Sequence, residues 1–187
     1  ATDIPVPAEY MLGPGDTLEV QLIGERGGRY TLTVGRDGTV DFPNLGPIAV
    51  AGMRFPAAKE MLERRVTEQM IGMRANVGMG ALRSIRVFVL GEAARPGSYT
   101  VSGLSTITNA LFASGGVTPV GSLRNIQLKR NGATVARLDL YDLLLEGNTR
   151  GDVRLQPGDV IFIPPVGITV GVAGEVRRPA IYEVKEG

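Results

Sequence analysis

The segment VFVLGEAARPGSYTV at residues 87–101 returns as VGVAGEVRRPAIYEV at 170–184, at a constant offset of 83, with eight identities in fifteen positions and no gap. A repeat of that period argues against one continuous core and predicts separate modules, small by the usual domain scale of roughly 100–150 residues. Each copy reads as strand, turn and strand. In the first, Val87 and Val89 alternate, Gly91, Glu92, Arg95 and Pro96 make the turn, and Tyr99 and Val101 resume the alternation. In the second, Gly174, Glu175, Arg178, Pro179 and Tyr182 stand at the same places. That copy has only residues 168–187, and about 20 residues cannot form a stable module. The segment is therefore expected to be poorly ordered, or to hide Val170, Val172, Ile181 and Val184 against the first module or a neighbouring chain. Either the sequence is cut there, or the fragment completes a sheet with borrowed partners.

Along the chain, residues 1–9 carry Pro5 and Pro7 and read as an extended lead-in. A Gly13-Pro14-Gly15-Asp16 turn follows, and Leu18, Val20 and Leu22 then occupy one face of a strand. Tyr30, Leu32 and Val34 repeat the alternation, and a turn through Asp37 and Gly38 leads to Val40 and Phe42. From Phe55 to Met70 the apolar residues Phe55, Ala58, Met61, Leu62, Val66 and Met70 fall three and four apart, which predicts an amphipathic helix. Pro56 suits its first turn and Gly72 its end, while Arg54 stands where a Ser, Thr or Asp cap is usual. This gives a first unit at 10–83.

The second unit, 84–165, opens with the first repeat copy. Ser105 or Thr106 can cap a short helix with Ile107, Ala110 and Leu111 inward, closed by Gly115-Gly116. Strands at 125–129 and 134–140 meet at Asn131-Gly132, a strong hairpin signal. Residues 141–146 read as a helical turn stopped by Gly147. LQPGDVIFIPP then restates the opening turn with Gly158 and Asp159. The predicted class is α+β: a hairpin-rich sheet with one amphipathic helix, a second α+β module, and the start of a third.

Chemistry is constrained by what is missing. With no Cys and no His, thiol nucleophiles, the usual zinc ligand sets and Ser-His triads are excluded. Paired carboxylates occur at Asp37/Asp41, Glu60/Glu63 and Asp139/Asp142, in turn-like or helix-surface sequence, where a solvated face is the plainer reading than acid–base work. No catalytic residue, metal site or cofactor is expected. The net charge of +1 supplies no field for nucleic acid, and 17 of the 20 basic residues are Arg. The uncharged run 160–174 is broken by Pro164, Pro165, Gly167 and Gly171 and falls short of the ~20 apolar residues of a membrane helix. The chain starts without Met, so any signal peptide is expected upstream. In the repeated turn, Glu92 with Arg95, and Glu175 with Arg178, are placed to pair, a contact worth about 0–1 kcal/mol if exposed. An interface or ligand contact is the other reading of that motif. Tyr99 and Tyr182 are expected to cover the sheet.

The order of motifs resembles a known family. YMLGPGDTLEVQLIG and VGRDGTVDFPNLGPIAVAG, followed by the helix, are similar to the N-terminal domain of bacterial outer-membrane polysaccharide export proteins. The run from RVFVLGEAARPGSYTV to LQPGDVIFIPP resembles their soluble-ligand-binding β-grasp (SLBB) module, and residues 168–187 resemble the start of a second one. The resemblance covers nearly everything from Tyr10 onward. It implies a periplasmic homo-oligomeric ring, an octamer in the best-known members, that passes capsular or exopolysaccharide outward and works with an inner-membrane copolymerase or chain-length regulator. It also implies outer-membrane attachment through an N-terminal lipidated Cys and, in some members, a C-terminal amphipathic pore helix. Neither is in this sequence, and truncation at both ends is the expectation. A stand-alone saccharide- or ligand-binding module, or an adaptor without its own pore, is the alternative. Arg54 at the helix start and Ala180 in place of Gly97 are the small departures from the pattern.

Overall fold

The computed structural model describes residues 6–167, 169–172 and 180–185. The chain divides into two compact units, 1–83 and 84–187. In the first, β1 (Thr17–Ile23) is the centre of a three-stranded antiparallel sheet, between β2 (Gly28–Thr33) and β5 (Arg74–Met79), with Val20 opposite Tyr30 on one side and Val77 on the other. A second ribbon pairs β3 (Thr39–Phe42) with β4 (Gly46–Ala49). The period-two alternation does what it predicts: Leu18, Val20 and Leu22 are all buried, and Phe42 is 1% exposed.

Helix α1 (Phe55–Gln69) closes this core, but with a narrower stripe than the apolar spacing predicts. Only Ala58, Leu62 and Val66 are fully buried, while Phe55, Met61 and Met70 stay half-exposed. Arg54 gives no side-chain cap, and no acidic residue lies in the first turn, so packing rather than capping holds this helix.

Polar residues of α1 have a task that a solvated-face reading does not foresee. β5 is a sheet edge, and an edge strand carries unpaired backbone groups. Glu63 Oε1 accepts the Val77 N–H at 3.0 Å, and Lys59 Nζ donates to the Val77 carbonyl at 2.8 Å. Lys59 and Glu63 also pair with each other at 2.6 Å. The helix thus covers the strand edge with an i, i+4 ion pair.

The second unit orders its main sheet β7-β6-β10-β8-β9, from β6 (Ser84–Gly91), β7 (Gly97–Ser102), β8 (Ile126–Arg130), β9 (Ala133–Leu138) and β10 (Val160–Ile163). Only β6 and β10 run parallel, side by side in the centre. Counted within the module the order is 2-1-5-3-4, the β-grasp arrangement. Helix α2 (Ile107–Ala113) packs on it and buries Ile107, Ala110 and Leu111. The core collects Val87, Val89, Ile126, Leu128, Ile161 and Ile163 from the three central strands.

The β8–β9 hairpin turns at Asn131-Gly132, with φ of 52° and 79°, as the dipeptide predicts. β9 ends at Leu138, two residues earlier than the apolar run suggests. Asp139 leaves the ladder to cap α3 (Leu140–Glu146), accepting from the Tyr141 and Asp142 amides, and Gly147 ends that helix in the left-handed region. Beyond β10, β11 (Thr169–Val172) pairs antiparallel with β12 (Ala180–Glu183).

Candidate functional site

The two Pro-Gly-Asp turns are built alike. Asp16 and Asp159 are each 0% exposed. Each accepts the amide of the residue three before it: Gly13 N–H at 2.9 Å for Asp16, and Gln156 N–H at 2.7 Å for Asp159. In each the intervening glycine, Gly15 or Gly158, holds a positive φ (94° and 83°), which turns the chain into the following strand. A buried carboxylate needs a cation and further donors. Asp16 receives the Tyr10 hydroxyl at 2.7 Å, the Arg83 N–H at 2.6 Å and Arg83 Nη1 at 3.2 Å. The Arg83 guanidinium lies across Gly13, where an added Cβ would sit 2.2 Å from Nη1. Asp159 is gripped on both oxygens by Arg130 through Nε and Nη2, each at 2.8 Å. Those bonds raise the Arg130 guanidinium further above its already high ordinary value, against the opposing effect of its partial burial.

The turn of the repeated motif closes differently from the expectation. Among the described residues no ion pair joins Glu92 to Arg95. The Glu92 carboxylate instead accepts from Thr118 Oγ1 at 3.1 Å, because backbone bonds already bring the segments together: Thr118 N–H to the Glu92 carbonyl at 2.9 Å, and Glu92 N–H to the Ile163 carbonyl at 2.8 Å. Gly91 has φ of 81°, and a Cβ there would lie 2.3 Å from the Ile163 carbonyl oxygen, so only glycine fits. Across the turn, Ala94 and Arg95 amides donate to the carbonyls of Gly116 and Ser114. The Gly115-Gly116 end of α2 is thus the surface on which the turn rests. Tyr99 is half-buried beside Pro96 and Gly97, and its hydroxyl donates to the Arg95 carbonyl. Gly174, Glu175, Arg178 and Pro179 lie outside the described residues. Tyr182 lies in β12 opposite Val170.

In the first unit Asp37 is exposed and folds back on Thr39. The Thr39 N–H, then its hydroxyl, hold the Asp37 carboxyl below the ordinary carboxylate value. Gly38, beside it, is buried against Ala51. Of the carboxylates singled out as pairs, Glu63 on the β5 edge and Asp139 at the α3 cap are structural acceptors, while Asp41 and Glu60 are exposed. Asp152, not singled out by sequence, receives the Thr108 N–H at 2.9 Å and the hydroxyls of Thr106 and Thr108, and so caps α2 from outside. Thr106 is the capping residue, with Asn109 accepting its N–H at 2.9 Å.

A cleft of about 560 Å³ opens on the second unit between the turn at Ser122–Asn125, the cap of α3 and the end of β12. Its walls carry both signs of charge, Arg124, Arg137 and Lys185 facing Asp139, Asp142 and Glu183. Arg124 pairs with Asp139 at 3.0 Å and lies 4.3 Å from the Tyr141 ring centroid. A groove of about 510 Å³ on the first unit runs beside α1 past Lys59, Glu63 and Arg74. Among the described residues no group of His, Asp, Glu or Cys is placed to hold a metal ion, and no helix is long and apolar enough to cross a membrane.

Sequence comparison assigns these units to a class. The pattern of polysaccharide biosynthesis/export proteins matches residues 4–80, and SLBB domain patterns match residues 85–163 and 169–187. The chain thus carries a polysaccharide biosynthesis/export domain followed by SLBB domains. Among its relatives, the polysialic acid transport protein KpsD of Escherichia coli is 32% identical over 181 residues, 95% of this chain and 32% of the relative. The EPS I polysaccharide export outer membrane protein EpsA of Ralstonia nicotianae is 28% identical over 176 residues, 92% of this chain and 46% of the relative. Its counterpart in Ralstonia solanacearum is 29% identical over 161 residues, 84% of this chain and 42% of the relative. The chain thus spans between a third and a half of the length of these curated relatives.

Proposed function

We propose that this chain is the periplasmic part of an outer-membrane conduit that passes capsular or exopolysaccharide outward without chemically altering it. The observation that carries the reading is the order of the three family matches along one chain, together with 32% identity over 95% of it to a polysialic acid transport protein. The geometry agrees with it. Asp16 and Asp159 are each committed to a turn, holding a backbone amide and an arginine, which supports a structural role for them over proton transfer. A long hydrated polymer must pass without being gripped, and many weak contacts serve that better than one deep site.

The protein works as a homo-oligomeric ring, with eight protomers as the expectation from the family, and receives polymer from an inner-membrane copolymerase or chain-length regulator. Exposed Arg36 and Asp37 face the lumen and tune the passage of acidic sugars. The test is deletion of the full-length gene followed by restoration. Surface polymer should disappear and return, and unchanged surface polymer in the deletion strain refutes the conduit. Charge reversal at Arg36 and Asp37 in the restored strain should change the export of an acidic polymer more than that of a neutral one. Equal export of both discards the lumen assignment.

The mixed-charge cleft beside Arg124 and Lys185 favours one second reading, a saccharide-binding module or adaptor without its own pore. Titration of the purified chain with oligosaccharides separates the two: saturable binding in that cleft together with undisturbed secretion in the deletion strain favours the adaptor.

A further inference from the structure

The end of β12 is held on the first SLBB module by one carboxylate. Glu183 is buried, and its carboxylate accepts from Ser122 Oγ, from the Leu123 N–H at 2.6 Å and from the Arg124 N–H at 3.0 Å. Its backbone is engaged as well: the Glu183 N–H donates to the Tyr141 hydroxyl oxygen at 3.2 Å, and its carbonyl accepts from Arg124 Nε. Two residues on, and so on the same side of an extended strand, Lys185 Nζ lies 3.5 Å from Asp142 and 3.7 Å from Asp139.

The receiving turn is fixed by bonds of its own. The Ser122 N–H donates to the Pro164 carbonyl at 2.8 Å, the Asn125 N–H donates to Ser122 Oγ at 2.9 Å, and Arg124 is held against Tyr141 and Asp139. Two adjacent backbone amides and a hydroxyl converging on one point form a carboxylate receptor, and hydrogen bonds to an ionised acceptor are the strong ones. The strand-turn-strand fold does not demand these partners. At the offset of 83, Glu183 and Lys185 correspond to Thr100 and Ser102 of the first copy, which are exposed and neutral.

We infer that the Ser122–Arg124 turn is the docking surface by which one SLBB module receives the opening hairpin of the next, with Glu183 as the residue that positions it. The partner it fits is an extended strand carrying a carboxylate followed, two residues later, by a cation. The inference rests on the export reading only in its use: successive modules of a conduit must be held at a fixed angle, and this joint supplies it.

Amide hydrogen exchange on the 187-residue chain tests it. Leu123 and Arg124 should be protected in the wild type and exchange at least about tenfold faster in Glu183→Ala, while Val87 and Ile161 in the β-grasp core keep their rates. Lys185→Ala, which leaves the carboxylate in place, should move the two amides by less than about threefold. Equal rates at Leu123 and Arg124 in wild type and Glu183→Ala overturn the inference. If Glu183→Ala loosens the whole module, Glu183→Asp decides, since it keeps the charge and shortens the reach. Faster exchange confined to the two amides upholds the joint, and uniform acceleration or no change overturns it. Secretion by the restored strain is measured separately, so the joint and the export reading fail independently.

Discussion

The two Pro-Gly-Asp turns are the same device placed before two different sheets. In the first unit the turn feeds β1, whose neighbour β2 runs antiparallel; in the second it feeds β10, whose neighbour β6 runs parallel. The backbone bonds are nevertheless equivalent. Gly15 and Gly158 donate to the carbonyls of Val34 and Arg86, and Asp16 and Asp159 accept through their carbonyls from Val34 and Phe88. What differs is the cation. Arg83 serves Asp16 through its own main chain and one guanidinium nitrogen, whereas Arg130 serves Asp159 through a two-pronged fork. The turn is therefore a portable strand start, and each unit supplies the counter-charge from whichever element lies nearest.

If the two aspartates are equivalent, Asp16→Ala and Asp159→Ala should each cost about 3–5 kcal/mol, the scale for removing one partner of a buried charge pair. The losses should be local. Residue-resolved exchange should show Val20 and Val77 loosened by the first change, and Val87 and Ile161 by the second. A loss under about 1 kcal/mol at either site breaks the equivalence. Gly91→Ala comes next, at about 2–4 kcal/mol in urea unfolding, since its Cβ would strike the Ile163 carbonyl from a left-handed backbone. Gly116→Ala, with φ of 90° but open space around it, should cost about 1 kcal/mol less than that.

The difference in cations is sharpened by Arg130→Lys against Arg83→Lys. The first loses the fork and should cost about 1.5–3 kcal/mol. The second keeps the main-chain bond to Asp16 and should cost under about 1 kcal/mol. Reversal of that order, read from denaturation midpoints, contradicts the assignment of roles.

The smallest effect concerns acid. Burial alone would raise the Glu63 carboxyl, but the bonds from Lys59 and the Val77 N–H outweigh it and hold the group below the ordinary value of 4.5. A lowered folded-state value stabilises the fold fully above 4.5, and that contribution is lost as pH falls through the folded value. Glu63→Gln should therefore cost under about 1 kcal/mol at pH 7 and flatten the acid limb of the first unit's stability profile. An unchanged acid limb in thermal melts from pH 6 to 3 rules out the edge-covering role.

Much of the fold was legible because it rests on periodicity and on turn residues. Leu18, Val20 and Leu22 announce β1, Asn131-Gly132 announces a hairpin, and Thr106 with Gly115-Gly116 brackets α2. What escaped was long-range pairing. Nothing near Asp16 or Asp159 in sequence points to Arg83 or Arg130, which lie 67 and 29 residues away. The local reading instead offered Glu92 to Arg95, three residues apart, and the structure gives Glu92 to Thr118 because the α2 end brings that threonine alongside. Glu63 looked solvated for the same reason: its partner is a strand edge that sequence spacing does not reveal. Glu183 was hidden inside a repeat whose other copy has threonine there, and that departure from the repeat was the one available signal.

The most direct test of the central claim is a pulse-chase of labelled sugar in cells whose full-length gene is deleted and then restored. A conduit predicts newly made polymer of unchanged composition and linkage that stays in the periplasm of the deletion strain and reaches the surface on restoration. Polymer that reaches the surface of the deletion strain with altered composition or linkage would instead mean that the protein modifies the chain and does not carry it.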